Sequence, residues 1–215
     1  DEELNNLINK PHPFIKNFKL TTMPFNVGVA GGWNMIIKSF MNSPYWIISN
    51  HDVSFEKGFL EEMNTMAQDK DTQIVFGNAG DFNLGSFDLF LIKDTLVQSH
   101  GLFDENFYPA YCEDADYIMR LKNNPVKGIY GLTKKYYHGG SFDYYETGSN
   151  TRKDDPKLTA KLKGVNLKNY EYMTKKWGIG WRQTNPYKFP FNITGLDPRT
   201  TLFDLEFNRD KHLGF

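Results

Sequence analysis

The chain holds a single cysteine, Cys112, among its 215 residues. An intrachain disulfide and a cysteine-rich zinc site are thereby excluded, and a reducing, cytoplasmic setting is expected. No apolar run approaches the roughly 20 residues that a membrane helix needs, and no signal-peptide pattern opens the sequence. Neither sign of charge is in excess, because 25 Lys and Arg stand against 26 Asp and Glu. With the signs interspersed there is no basic stripe, so nucleic acid and anionic membrane are not expected partners. Repeats and low-complexity segments are lacking too. Aromatic residues are plentiful, with 18 Phe, 12 Tyr and 4 Trp. They suit stacking on sugar rings, although such residues are ordinarily core. The length suits one domain, or one with an appendage, and is enough to bury a substantial core.

Strand and helix patterns alternate. Glu2 to Ile8 reads as a helix end and Phe18 to Thr22 as a short strand. Val29 to Met41 is helical in period and stops at Ser43-Pro44. Tyr45 to Ser49 is a continuous apolar run of the kind buried central strands show. Phe55 to Gln68 is an amphipathic helix, and Thr72 to Phe76 and Phe87 to Ile92 are strands. A helix starts at Glu113, short strands follow at Lys127 to Tyr130 and Tyr136-Tyr137, and a long helix covers Leu158 to Trp177. The sum is an α/β fold of three layers with a mostly parallel central sheet. Residues 1–180 are expected to form one domain, with 181–215 an irregular tail packed on it.

Chemistry concentrates in a few segments. Gly101-Leu-Phe-Asp104-Glu105 leads through an aromatic run to Glu113-Asp114-Ala-Asp116 and Arg120. A solvated helix start, favoured by the positive end of the helix dipole, accounts for Asp104 and Asp116, and Asp116 to Arg120 is an ion-pair spacing. Glu113 and Asp114 follow Tyr108, Pro109 and Tyr111, a run poorly suited to free exposure. A carboxylate fixed beside aromatic surface at a helix start has the properties of a general base. Asn26-Val-Gly28-Val-Ala30-Gly31-Gly32-Trp33-Asn34 is a glycine-rich turn into a helix. It lets a ligand approach the backbone and offers free N–H groups, but its spacing is not that of a dinucleotide site. Asn50-His51-Asp52 ends the buried strand with groups suited to Mg²⁺ or Mn²⁺; the alternative for Asp52 is a cap on the next helix. His138 closes another strand and precedes Gly139 and Gly140.

In their order, these motifs resemble family-2-type glycosyltransferases of the GT-A fold (nucleotide-diphospho-sugar transferases), over roughly residues 1–140. They are especially similar to rhamnosyl- and galactofuranosyltransferase-like members that build surface glycans in bacteria and large algal viruses. The resemblance implies inverting transfer of a sugar from a nucleotide-diphospho-sugar, a UDP-sugar first, to a hydroxyl of a glycan acceptor. It makes Asp114 the catalytic base and Glu113 its partner at the acceptor site. It makes Asp52 and His138 contacts of a Mn²⁺ or Mg²⁺ on the donor diphosphate. Asn26, Gly28, Asn34 and Asn50 then line the nucleotide side, with Tyr108, Tyr111 and Trp33 as candidates for the sugar pocket. Asn50 stands where the family's metal motif usually has its first acid. Against the family's pattern, the opening strand–helix–strand unit is expected either to be missing from this sequence or to be replaced by base recognition built differently. A glycoside hydrolase fits poorly, since adjacent Glu113 and Asp114 do not flank a bond. The alternatives that remain are a sugar nucleotidyltransferase on a similar fold and a non-catalytic carbohydrate- or nucleotide-sugar-binding domain.

Overall fold

The structure is a computed structural model that describes residues 6, 10, 19–77, 87–129, 132–139 and 155–178. Eleven elements follow in order: α1 (Gly28–Ser39), β1 (Tyr45–Ser49), β2 (Val53–Phe55), α2 (Phe59–Gln68), β3 (Thr72–Phe76), β4 (Leu89–Lys93), α3 (Asp94–His100), α4 (Glu113–Asn123), β5 (Lys127–Ile129), β6 (Tyr136–His138) and α5 (Pro156–Trp177). The expected helix at Glu2 to Ile8 and the expected tail at 181–215 lie outside the described residues, apart from a helical Asn6. Residues 19–22, the described part of the expected first strand, are not in a strand.

Four strands form the main sheet in the order β1-β4-β3-β5, and β2 pairs with β6 in a separate ribbon. The sheet is mixed: β4 runs antiparallel to both β1 and β3, and the pairing of β3 with β5 is parallel. The expected mostly parallel sheet rested on continuous apolar runs. Those runs report burial of both faces and say nothing about strand direction. Leu89, Phe90, Leu91 and Ile92 are all fully buried although their strand is antiparallel to its neighbours.

Alternation along the strands builds the layers. Trp46, Ile48, Ile74, Phe76, Phe90 and Ile92 face one side, where α1, α3 and α4 supply Trp33, Ile37, Leu96, Val97, Tyr117 and Leu121. Val75, Leu89 and Leu91 face the other, against Phe59, Met63 and Ala67 of α2. Each helix gives a single stripe at the spacing its period requires, as with Ala30, Trp33 and Ile37 in α1. Burying side chains of this size contributes about 1.5–3 kcal/mol each. Trp33 belongs wholly to this core, 7% exposed with its ring 4.8 Å from that of Phe103, and does not form a sugar pocket.

Two helix starts differ from expectation. Val53 to Phe55 is strand, held by β6, and α2 begins only after Gly58, whose φ of 88° suits a residue without a side chain. Asp52 is thus too far back in sequence to cap that helix. Short α3 follows β4 directly and was not evident in the sequence, because Asp94 to His100 spans barely two turns.

The last helix packs on α4 through Phe107, Tyr172, Met173 and Trp177. Beneath it lies a buried ionic network. Lys176 Nζ is 2.7 Å from Asp104 Oδ2 and 2.7 Å from Asp116 Oδ1, and all these side chains are fully buried. Arg120 pairs with Asp116, Trp177 Nε1 donates to Asp116, and Tyr172 donates to Asp104. The reading of Asp104 and Asp116 as solvated is therefore overturned. The cation they share, Lys176, comes from 60 or more residues further along the chain.

Candidate functional site

The end of β1 and the β2–β6 ribbon meet at one rim of the sheet. Register pairs Val53 with His138, and the Gly139 N–H donates to the Asp52 carbonyl at 2.7 Å. Asp52 Oδ1 comes to lie 3.2 Å from His138 Nε2, so two residues 86 positions apart meet. A third member was not evident in the sequence. Asp88 Oδ2 lies 3.0 Å from His138 Nδ1, its Oδ1 accepts the Tyr136 hydroxyl at 2.9 Å, and its carbonyl accepts the Asn50 N–H. The available signal was an acid interrupting the apolar run Phe87-Asp88-Leu89-Phe90. Gly77 makes the Tyr136 contact possible, since a Cβ there would sit 2.9 Å from the tyrosine ring.

The hydrogen bond that the His138 imidazole donates to Asp88, reinforced by the charges of Asp88 and Asp52, holds the ring above its ordinary pKa against the opposing effect of burial. His138 Nε2 is buried yet makes no aligned hydrogen bond. Positive charge between Nε2 and the Asp52 oxygen, whether a ring proton or a bound cation, keeps the two from repelling. Asp52 and His138 are the side chains here that would hold a divalent ion. Among the described residues no group of three His, Cys, Asp or Glu side chains is arranged to hold a metal by itself.

The glycine-rich turn packs against the loop before α4. Gly28 has φ +75°, and a Cβ on it would lie 2.9 Å from the Pro109 carbonyl oxygen. The Gly28 N–H goes to Asn26 Oδ1, the Val29 N–H goes to Pro109, and Tyr108 donates to the Asn26 carbonyl. Thus two of the N–H groups at the start of α1 are satisfied within the protein. Asn34 is fully buried, donating to the Phe103 carbonyl and Glu105 and accepting from the Phe103 N–H. It ties α1 to the Asp104 loop.

Tyr111 and Cys112 precede α4 with φ of 78° and 76°. Left-handed backbone at residues other than glycine costs on the order of 1–3 kcal/mol each. Asn169 of α5 donates to the carbonyls of Ala110 and Tyr111, so the last helix braces this turn. The turn aims Glu113 inward, 6% exposed, and leaves Asp114 partly exposed with its Oδ1 accepting the Ala115 N–H at 2.7 Å. Burial raises both carboxyls, Glu113 far more, with the Asp114 charge adding to the effect there. Glu113 Oε2 has no hydrogen-bond partner.

A folded-state pKa raised in this way costs stability as pH climbs above the ordinary Glu range, because the unfolded chain ionises freely while the folded one holds its proton. Glu113→Gln does not titrate. It is expected to melt higher than wild type at neutral pH, with the gap closing as pH falls toward the ordinary Glu pKa. Melting curves from pH 4 to pH 8 check this, and a gap that widens in acid contradicts the burial assigned to Glu113.

Over 102 residues the chain is 26% identical to a galactofuranosyl glycosyltransferase of Leishmania donovani. The match takes in 47% of this chain and 21% of that protein, so the chain spans about a fifth of its relative's length. The similarity is distant and supports a glycosyltransferase relationship in general terms. No protein-family model matches the chain, and no solved structure does. No helix among the described residues is long and apolar enough to cross a membrane.

Proposed function

We propose that this chain forms the catalytic core of a GT-A-type glycosyltransferase. It moves a sugar from a nucleoside-diphosphate donor to a glycan hydroxyl with inversion. The observation that carries the reading is the convergence of Asp52 Oδ1 and His138 Nε2, with a buried nitrogen lacking an aligned partner, at the rim beyond β1. The relative's name makes a galactofuranosyl donor the first to test.

In the proposed reaction, an Asp114 carboxylate oxygen takes the proton of the acceptor hydroxyl. That hydroxyl oxygen forms a bond to the anomeric carbon as the bond from that carbon to the diphosphate oxygen breaks. The electron pair leaves with the nucleoside diphosphate. Asp114 suits the role because burial makes it a stronger base than an exposed aspartate while it keeps some exposure toward a substrate. Burial disfavours a charge on Glu113 beside it. Asp52 and His138 hold the donor end, where a bound Mn²⁺ or Mg²⁺ supplies positive charge against the diphosphate.

Asp52→Ala is expected to abolish metal-dependent UDP binding while the domain stays folded. Calorimetric titration of UDP with and without Mn²⁺ makes the measurement, and unchanged metal-dependent affinity removes Asp52 as a ligand. A non-catalytic sugar-binding domain is the second reading, favoured by Asn50 where the family usually has an acid. Sustained turnover of a nucleotide sugar onto an acceptor separates the two.

A further inference from the structure

We infer that Asp88 is a positioning residue for the donor-side metal: it fixes the ring orientation and tautomer of His138, so that Nε2 presents its lone pair beside Asp52. The inference rests on the proposed function and deepens it. Asp88 sits directly before β4, and the pairing of β4 with β1 brings it under Asn50. Its carboxylate is itself held. Oδ1 accepts both the Leu89 N–H at 2.9 Å and the Tyr136 hydroxyl at 2.9 Å, which leaves Oδ2 for His138 Nδ1 at 3.0 Å. Both ring nitrogens face a carboxylate, which only accepts hydrogen bonds, but the Nδ1 contact with Asp88 is shorter and Nε2 makes no aligned hydrogen bond to Asp52, so a neutral ring places its proton on Nδ1. A metal-binding histidine generally needs such a partner on its second nitrogen, and removing the partner typically costs 10–100-fold in metal affinity.

Asp88→Asn turns this into a directional test. The Leu89 N–H continues to demand an oxygen at the Oδ1 position, so the amide nitrogen takes the place of Oδ2 and points at His138 Nδ1. An N–H donor there requires Nδ1 to accept, which moves the ring proton to Nε2 and removes the lone pair that faces Asp52. The variant is isosteric with Asp, so packing is retained. Tyr136→Phe is the control, because it removes another contact of Asp88 and keeps the tie to His138.

Mn²⁺ binding to the intact chain is measured by electron paramagnetic resonance, with the metal alone and with UDP. Imidazole ¹⁵N shifts of His138 are recorded without metal at a pH where the ring is neutral. The expected result is an Nδ1–H tautomer and Mn²⁺ binding in wild type and in Tyr136→Phe. In Asp88→Asn an Nε2–H tautomer and an affinity lower by about 10–100-fold are expected. A folded Asp88→Asn protein that binds Mn²⁺ as wild type does, or that keeps the Nδ1–H tautomer, overturns the inference and leaves the proposed function standing. Wild type that binds no Mn²⁺ in either condition overturns the metal reading itself, and the role of Asp88 with it.

Discussion

Asp114→Asn is expected to bind donor as wild type does and to lose sugar transfer by on the order of 10²- to 10⁴-fold, the usual cost of removing a general base. An amide cannot accept the hydroxyl proton, yet it has the size of the carboxylate and retains the oxygen that receives the Ala115 N–H. Single-turnover transfer, with Glu113→Gln measured beside it, separates the two acids. Near-wild-type transfer by Asp114→Asn with an inactive Glu113→Gln would assign the base to Glu113. The wild-type pH profile gives a second reading of the same group. The base works only when ionised, and burial raises its pKa. The acid limb of kcat/KM should therefore lie above the range of an exposed aspartate.

Lys176→Met should lower stability by about 3–5 kcal/mol, the range for removing one partner of a buried ion pair. For a chain of this length that corresponds to a Tm lower by on the order of 10 °C. Lys176 touches both Asp104 and Asp116 in full burial, and Arg120 pairs with Asp116. Its removal leaves two buried carboxylates with one guanidinium. Burial alone would raise the Asp116 carboxyl, but Arg120 and Lys176 outweigh it and hold the group below the ordinary aspartate range. The stability Asp116 contributes is present at neutral pH and is lost as pH falls through that lowered pKa. Thermal melts of Lys176→Met and wild type provide the check. Equal Tm values would mean that α5 does not close the core in solution. Because Asn169 on the same helix braces the Tyr111–Cys112 turn, loosening α5 should also cost transfer activity.

Strands β1 and β3 stand where their apolar runs predict them, and the helices at Gly28, Glu113 and Pro156 lie within two residues of expectation. Local pattern suffices there because each element buries one continuous stripe or run. It failed at Val53 to Phe55, where three residues are strand only because β6 supplies the partner. The proposed donor-side site was half legible. Asp52 follows shortly after a strand the sequence displays and His138 ends another, whereas Asp88 is a single acid whose meaning depends on Tyr136 and His138 reaching it.

By itself the sequence determined most of the element types, the apolar faces that make three layers and the acids that open α4, because these follow from periodicity and from backbone chemistry within a few residues. Strand direction, the burial of Asp104 and Asp116, and the grouping of Asp52, Asp88 and His138 were decided only by the tertiary structure. Each depends on partners tens of residues away, and a charge's environment is set by what packs around it, not by its neighbours along the chain.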